Sequence, residues 1–284
     1  MKKFCVVTNH LKDKQLMTAH AISDYIHSGG GSCEIVENMD TKTGEFKILS
    51  AKDIPDGTEC IISIGGDGTL LHAAQDLMDL DVVFVGVNRG TLGFLAEISP
   101  DALETALDKL LNNQFHVESR MMLKGDIRRN GKQVYSAIVL NDIVIHRGDE
   151  LAITDYEVFV NGELLGTYHA DGIILSTPTG STAYNLSAGG PVARPDSHMI
   201  MLTPICPHTL ANRSIILSRN DKIEVKVGQC RTPNEEHRKA AFDGDGIFNM
   251  ISGDVICISE ADKTTKIAKI DEASFLQAVK DKLK

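Results

Sequence analysis

The residues best suited to chemistry form an acid set among glycines: Gly65, Gly66, Asp67, Gly68 and Thr69, directly after the apolar run Cys60 to Ile64. That run is short and β-branched, as a buried strand is. Leu70, Leu71, Ala74, Leu77 and Met78 then follow at helical spacing. Strand, glycine turn and helix is the context in which backbone N–H groups and a helix N-terminus build an anion site. An acid inside a phosphate cradle is electrostatically unfavourable unless it faces a hydroxyl that must lose its proton, or a bound metal ion. The combination points to phosphoryl transfer. The loop has no Gly-Lys-Ser/Thr and does not fit G-x-G-x-x-G, so neither of the commoner phosphate fingerprints applies. From Asp53 to Asp108 there is no lysine, and Arg89 is the one arginine. Phosphate charge at this loop would therefore be met by backbone donors, the helix dipole and a divalent cation. A glycine-rich turn after a strand can also be only a turn, so other segments must add to the argument.

The second candidate segment runs from His169 to Pro195. It carries Asp171-Gly172, then Ser176 through Asn185 with Thr179, Thr182, Ala183 and Tyr184, then Ser187, Gly189, Gly190 and Pro191. So many small hydroxyl and glycine residues bury little apolar surface, and stability alone does not account for them. A hydroxyl-rich loop leading into a short helix offers donors and acceptors for a ribose, an adenine edge or phosphates. An ordinary Ser/Thr-rich loop is the plain alternative.

The elements that must position these residues divide into two patterns. Phe4–Thr8 reads as a buried strand, and about Lys14–Ser28 as a helix with Leu16, Ala19, Ile22 and Ile26 on one face. Gly29 to Gly31 stop it, Cys33–Val36 is a second strand, and Asp40–Gly57 reads as a polar surface loop. Val82–Val87 has the uninterrupted apolar character of a central parallel strand. Ser99 is placed to cap a helix with Pro100 at its first position and Leu103, Leu107 and Leu110 below. Residues 1–115 thus alternate strand and helix as an open α/β sheet does, with the loops after Gly65 and Asn88 at the ligand-binding carboxyl edge. From about Phe115 to Ile270 short strands dominate, broken by Asn130-Gly131, Asn161-Gly162, Gly228, Asp245-Gly246 and Gly253-Asp254. This second half reads as all-β, and Ser274–Leu283 closes the chain with a short amphipathic helix.

Composition narrows the function classes. The 284 residues suffice for one large domain or two moderate ones, and 42% hydrophobic with 24% charged residues is ordinary for a soluble globular chain. Tryptophan is absent and aromatic residues are few, so stacking platforms for single strands are not expected. A net charge of −10 disfavours nucleic acid and anionic membranes. The six cysteines (Cys5, Cys33, Cys60, Cys206, Cys230 and Cys257) form no C-x-x-C pair and read as core thiols of a reducing cytoplasm. No apolar run approaches the ~20 residues of a membrane helix, and the first residues turn polar too soon for a signal peptide. The expectation is a cytoplasmic protein.

Three separated motifs agree: Gly65–Thr69, Asn88–Leu95, and Asp171-Gly172 through Thr182–Asn185 to Gly189–Pro191. In this order and spacing they resemble the NAD kinase family over nearly the whole chain. The first motif is shared with diacylglycerol-type lipid kinases and, more loosely, phosphofructokinases. The other two are more specific. The resemblance implies an N-terminal Rossmann-like α/β domain (1–115), a C-terminal β-sandwich-like domain for NAD binding and oligomerisation (116–270), a returning C-terminal helix (271–284) and an active site between the domains. It implies phosphorylation of the adenosine-ribose 2′-hydroxyl of NAD to NADP, with ATP or polyphosphate as donor. A divalent cation, most simply Mg²⁺, and a homodimer or homotetramer go with it.

Carried over by position, Asp67 matches the base and Gly68 approaches the substrate, within a phosphate loop of Gly65, Gly66, Gly68 and Thr69. Phe94 lines the adenine pocket. Asn141 and Asp142 fall where the family has Asn-Glu, and Asp171, Thr179, Thr182, Ala183, Tyr184 and Ser187 hold the nucleotide. Cys206 takes the place of a small site-lining residue, and Asp243-Gly244-Asp245 matches an Asp-Gly-Gln-like turn. Asp142 is one methylene shorter than the usual Glu, and Asp245 replaces an amide by an anion. His72 and His169 lie where a polar or basic ligand-facing residue is common, although an exposed or capping histidine reads equally well there. Sequence alone leaves Asp67 two roles, base or metal ligand. It also leaves two other functions to be weighed. A lipid kinase would need an apolar acceptor channel, which the polar second motif disfavours. A non-catalytic nucleotide-binding regulator could dispense with Asp67.

Overall fold

The computed structural model describes residues 1–8, 11, 13–38, 47–89, 93–96, 98–148, 153–208, 213–228, 238–270 and 275–282. The chain divides into two compact units, residues 1–119 with 265–284, and residues 120–264.

The first unit is built on β1 (Lys3–Thr8), α1 (Met17–Ser28), β2 (Ser32–Glu37), β3 (Cys60–Gly65), α2 (Asp67–Asp76), β4 (Val83–Asn88) and α3 (Leu103–Leu111). Its strands are parallel in the order β2-β1-β3-β4. β3 is buried throughout, which is why it reads as a continuous apolar run rather than an alternating one. Ala19, Ile22 and Ile26 of α1 and Ala106, Leu107 and Leu110 of α3 fill one core with Phe4, Val6, Ile62, Ile64 and Val85. α1 starts later than its periodicity predicts. Gln15 and Leu16 both adopt left-handed φ of 54°, and the buried Asp13 carboxylate accepts the first amides, those of Thr18 and Ala19, at 3.0 Å each. Ser99 makes no side-chain cap: Pro100 opens a single 3₁₀ turn, and α3 follows it. The segment expected as a polar loop carries two buried anchors, Leu49 and Ile54, while its residues 40–46 lie outside the described residues.

The second unit comprises most of β5 (His116–Arg129), then β6 (Lys132–Val139), β7 (Asp142–His146), β8 (Thr154–Val160), β9 (Glu163–Ala170), β10 (Gly172–Ser176), α4 (Tyr184–Ser187), β11 (Met199–Ile205), β12 (Ile215–Ser218), β13 (Ile223–Val227), β14 (Arg238–Phe242), β15 (Asp245–Met250) and the first part of β16 (Val255–Lys269). One antiparallel layer runs β16-β13-β8-β9, with β5 pairing β16 and β6. The other runs β12-β11-β10-β7-β14-β15. Val158, Val225 and Ile256 of the first layer meet Ile143, Ile173, Leu202 and Ala240 of the second in a single core, which makes this unit sandwich-like. The far end of β16 joins the first unit's sheet beside β4, through Lys266 and Ile267. β5 and β16, at 14 and 15 residues, are longer than the short strands expected here. α5 (Phe275–Lys282) closes the described chain within the first unit. Of its expected apolar face (Phe275, Leu276, Val279, Leu283), Leu276 is 66% exposed and Leu283 lies outside the described residues, as does the expected first residue, Ser274.

Asn130-Gly131 and Asn161-Gly162 each take two successive left-handed conformations and turn hairpins β5–β6 and β8–β9, as expected. The turn expected at Asp245-Gly246 lies two residues earlier. Asp243 (φ 53°) and Gly244 (φ 85°) make it, and Asp245 already begins β15.

Candidate active site

In the first unit, β3 and β4 run parallel in a register that brings Gly65 beside Asn88, so both loops leave from one sheet edge. The peptide N–H of Arg89 donates to the Gly65 carbonyl at 2.9 Å. A Cβ on Gly65 would stand 2.3 Å from Thr69 Oγ1, so this position must be glycine for α2 to start where it does. Gly66 precedes the helix and Asp67 is its first residue. Gly68 is exposed and a Cβ there would meet nothing within 4 Å, so no protein contact demands glycine at that position.

Asp67 does not point idly into solvent. Its Oδ2 accepts the amide of Phe94 at 2.8 Å, and its Oδ1 accepts those of Leu95 and Ala96 at 3.1 and 2.9 Å. A Cβ on Gly93 would fall 1.7 Å from Oδ1, so the glycine is what admits the carboxylate. The segment continues back onto β4, where Ile98 donates to the Gly86 carbonyl at 3.1 Å and accepts from Asn88 at 2.8 Å. Gly86 permits this approach, since a Cβ there would be 2.5 Å from Ala96 Cα. By count of lone pairs, Oδ2 keeps one acceptor position. Phe94 packs its ring 6.5 Å from Phe275 of α5, and Lys282 Nζ sits 3.9 Å from its centroid. His72 is half-buried on α2.

In the second unit, Asn141, Asp142, Val144, Ala183, Tyr184, Ala241, Asp243 and Gly244 line a cleft of about 360 Å³. Four of the residues expected at the nucleotide are thereby brought together: Asn141, Asp142, Ala183 and Tyr184. Burial, and then the charges of Cys206, Asp142 and Asp171, push the Tyr184 phenol up. Asp171 accepts from Arg147 Nε at 2.7 Å, an ion pair that the motifs do not announce. Cys206 is exposed with φ 43°, and Ser187 is exposed at the end of α4. His169 lies at the surface, 2.6 Å from Asp155, and does not line the cleft. Asp245 is exposed on β15, whereas Asp243, two residues before it, is at the cleft.

The hydroxyl-rich segment is more structural than its composition indicates. Ser176, Thr177, Thr179, Ser181 and Asn185 are buried. Thr177 Oγ1 donates to the Leu140 carbonyl at 2.6 Å and accepts from the Gly180 amide at 3.1 Å. Ser181 Oγ bonds both the amide and the carbonyl of Ala193, and Asn185 donates to the Ser181 and Pro191 carbonyls while accepting from Thr203. Thr179 accepts from the buried Arg120 at 3.4 Å, and Thr182 donates to the Thr179 carbonyl at 3.4 Å. These bonds hold the loop that carries Ala183 and Tyr184.

Two carboxyls share the cleft. Burial, reinforced by the charge of Asp243, pushes Asp142 up to about 7. Asp243 is pushed up to about 6 by burial, against the three amides that favour its charged form. Among the described residues no three His, Cys, Asp or Glu side chains stand together as a metal cluster, and no helix is long and apolar enough to cross a membrane.

An α/β unit with an acid at a glycine turn, together with a β-sandwich unit whose mainly apolar cleft carries Asn141, Asp142, Tyr184 and Asp243, fits a nucleotide-dependent phosphotransferase layout. The family models for the ATP-NAD kinase N-terminal domain and the ATP-NAD kinase C-terminal domain match residues 12–115 and 140–270. The chain belongs to the NAD kinase family. It is 41% identical to an NAD kinase of Agathobacter rectalis, covering 100% of this chain and 99% of that one. It is 39% identical to one of Lachnospira eligens, covering all of both. Among solved structures its fold is like that of yeast NADH kinase complexed with NADH (TM-score 0.85, 23% identity, 99% of this chain and 87% of that one). It is also like an NAD kinase from Archaeoglobus fulgidus in complex with ATP (TM-score 0.74, 24% identity, 95% and 94%).

Proposed function

We propose that this chain phosphorylates the adenosine-ribose 2′-hydroxyl of NAD, giving NADP, with ATP as phosphoryl donor. The observation that carries this reading is the end-to-end relationship to NAD kinases at up to 41% identity, through both domain models. The cleft in the β-rich unit supports it, since Asn141, Asp142, Ala183 and Tyr184 converge there. A ribose hydroxyl is a poor nucleophile while protonated. Asp67 orients it and accepts its proton through the acceptor position left on Oδ2, as the bond to the γ-phosphorus forms and the bond to the β,γ-bridging oxygen breaks, releasing ADP. The three amides of Phe94, Leu95 and Ala96 hold that carboxylate in one orientation. Gly65, Gly66, Gly68 and Thr69 form the phosphate loop, with Gly68 leaving room for a ligand to approach.

Base catalysis of this kind supplies ~10²–10⁴-fold, so alignment and charge neutralisation carry the remainder. The Gly65–Thr69 loop would hold the donor's phosphates, and a divalent cation, most simply Mg²⁺, would supply neutralisation of their charge there, in keeping with a cation that prefers water and phosphate to an all-protein cage. Polyphosphate is the alternative donor for the same loop. Phe94, Asp171, Thr179, Thr182, Ser187, Cys206, His72, His169 and Asp245 complete or flank the nucleotide site as the family pattern has it. The protein works in the cytoplasm as a homodimer or homotetramer joined through its β-rich domain. Exposed Leu164 and Leu165 on β9, Ile216 on β12 and Ile247 on β15 support that assembly. The test is to incubate purified protein with NAD, Mg²⁺ and either ATP or polyphosphate, and to follow NADP with an NADP-specific dehydrogenase. Formation of NADP that depends on donor and metal is the expected result. A folded protein that forms none refutes the proposal.

A further inference from the structure

Asp243 is absent from the chemistry described so far, yet it organises the cleft. Its Oδ2 accepts the Leu140 amide at 2.7 Å, and its Oδ1 accepts those of Asn141 and Asp142 at 2.8 and 2.9 Å. Its own amide donates back to the Asp142 carbonyl at 3.0 Å. The opposite side of the same turn is held by Thr177, whose Oγ1 donates to the Leu140 carbonyl and whose amide donates to the Asn141 carbonyl at 2.9 Å. A Cβ on Gly180 would stand 2.2 Å from that Asn141 carbonyl oxygen, so the packing there is close. Main-chain donors and acceptors of residues 140–142 are thus consumed by Asp243 and Thr177, and the side chains are left to the cleft. Asn141 Oδ1 is buried there with no hydrogen-bond partner among the described residues, an acceptor that a bound ligand would satisfy.

We infer that Asp243 is a positioning residue for dinucleotide recognition: by gathering the amides of Leu140, Asn141 and Asp142, it holds the turn that presents the Asn141 amide and the Asp142 carboxyl to the cleft. This deepens the NAD kinase reading and rests on it. A merely structural clasp would not need its anion beside a second buried carboxyl, because burying two carboxyls together is costly. Burial, and then the charge of Asp243, raises Asp142. The groups facing Asp142 are few. Asp243, raised by burial and least by Asp245, comes from the β14–β15 turn, and Tyr184, near Cys206 and Asp171, comes from α4. On the flanking strands Ser176 of β10 stands opposite Asp142, and Phe242 of β14 stands opposite the next residue, Ile143.

The experiment compares Asp243→Asn and Thr177→Val with the wild type in NAD-dependent turnover, with thermal melting as the folding control. Both variants are expected to raise the KM for NAD at least tenfold while kcat stays within threefold and the KM for ATP is unmoved. In Asp243→Asn the pH profile of kcat/KM for NAD is also expected to shift to lower pH, because Asp142 has lost its charged neighbour. A folded variant with an unchanged KM for NAD overturns the inference, as does a loss confined to kcat. Should Asp243→Asn fail to fold, Thr177→Val decides by the same KM criterion. Wild-type protein that makes no NADP overturns the reading and the inference with it. Wild-type turnover with unmoved KM in the variants overturns the inference alone.

Discussion

Replacing Asp142 by asparagine keeps the side chain's size and removes its titration, which makes it a probe of how the cleft treats charge. Asp142 is 4% exposed and lies beside Asp243. Burial, then the charge of Asp243, moves its carboxyl from 3.8 to about 7. A group raised in the folded state holds its proton more tightly there than in the unfolded chain. Its contribution is fully present below the unfolded value near 4 and is lost as pH rises through about 7. At 1.36 kcal/mol per pH unit the loss is about 4 kcal/mol as an upper bound. Relaxation and water entry would bring it to about 2 kcal/mol, since effective interior dielectrics exceed the dry-protein value. Asp243, raised to about 6, acts in the same direction. The ligand-free wild type should therefore lose stability between pH 4.5 and 8. Asp142→Asn should lose less and melt higher than wild type at pH 8, by about 4–8 °C at roughly 2–4 °C per kcal/mol. Scanning calorimetry of both proteins at half-unit pH steps, without nucleotide, is the assay. Melting curves that stay parallel from pH 4.5 to 8 would refute the reasoning.

The glycines yield two further expectations. Gly93→Ala places a methyl 1.7 Å from Asp67 Oδ1, so the carboxylate must leave the amides of residues 94–96. Turnover should fall at least tenfold and stability by about 1–3 kcal/mol, the cost of buried donors left unbonded, as read by kinetics and urea unfolding. Gly68→Ala meets no protein atom and adds a better helix former in the first turn of α2, so stability should hold or rise by up to about 1 kcal/mol. Its KM for NAD or ATP should nonetheless rise, and an unchanged KM for both would remove Gly68 from the ligand's path.

Much of the layout was legible because it depends on local signals. β3 and β4 show the unbroken apolar runs of parallel strands, and the Asn-Gly pairs at 130–131 and 161–162 place hairpins at the observed positions. The turn at 243–244 was harder, because two Asp-Gly pairs stand back to back there, 243–244 and 245–246. Asp243 takes the left-handed position while its carboxylate bonds three amides about a hundred residues earlier, a contact no local pattern encodes. The same limit applied to Asp67. Its residue type and glycine setting were visible, but its partners at 94–96 are not neighbours in sequence. Composition overstated the ligand role of the 176–185 hydroxyls, since counting polar groups cannot show that Thr177, Ser181 and Asn185 spend theirs on the backbone. Arg147 beside Asp171 carried no motif at all.

The most direct measurement is single-site: turnover of Asp67→Asn against wild type with ATP, Mg²⁺ and NAD, with NAD binding measured by calorimetry on the same samples. The account predicts that kcat falls by about 10²–10⁴-fold while the NAD dissociation constant stays within a few-fold. Turnover near the wild-type level in a variant that still binds NAD would contradict it.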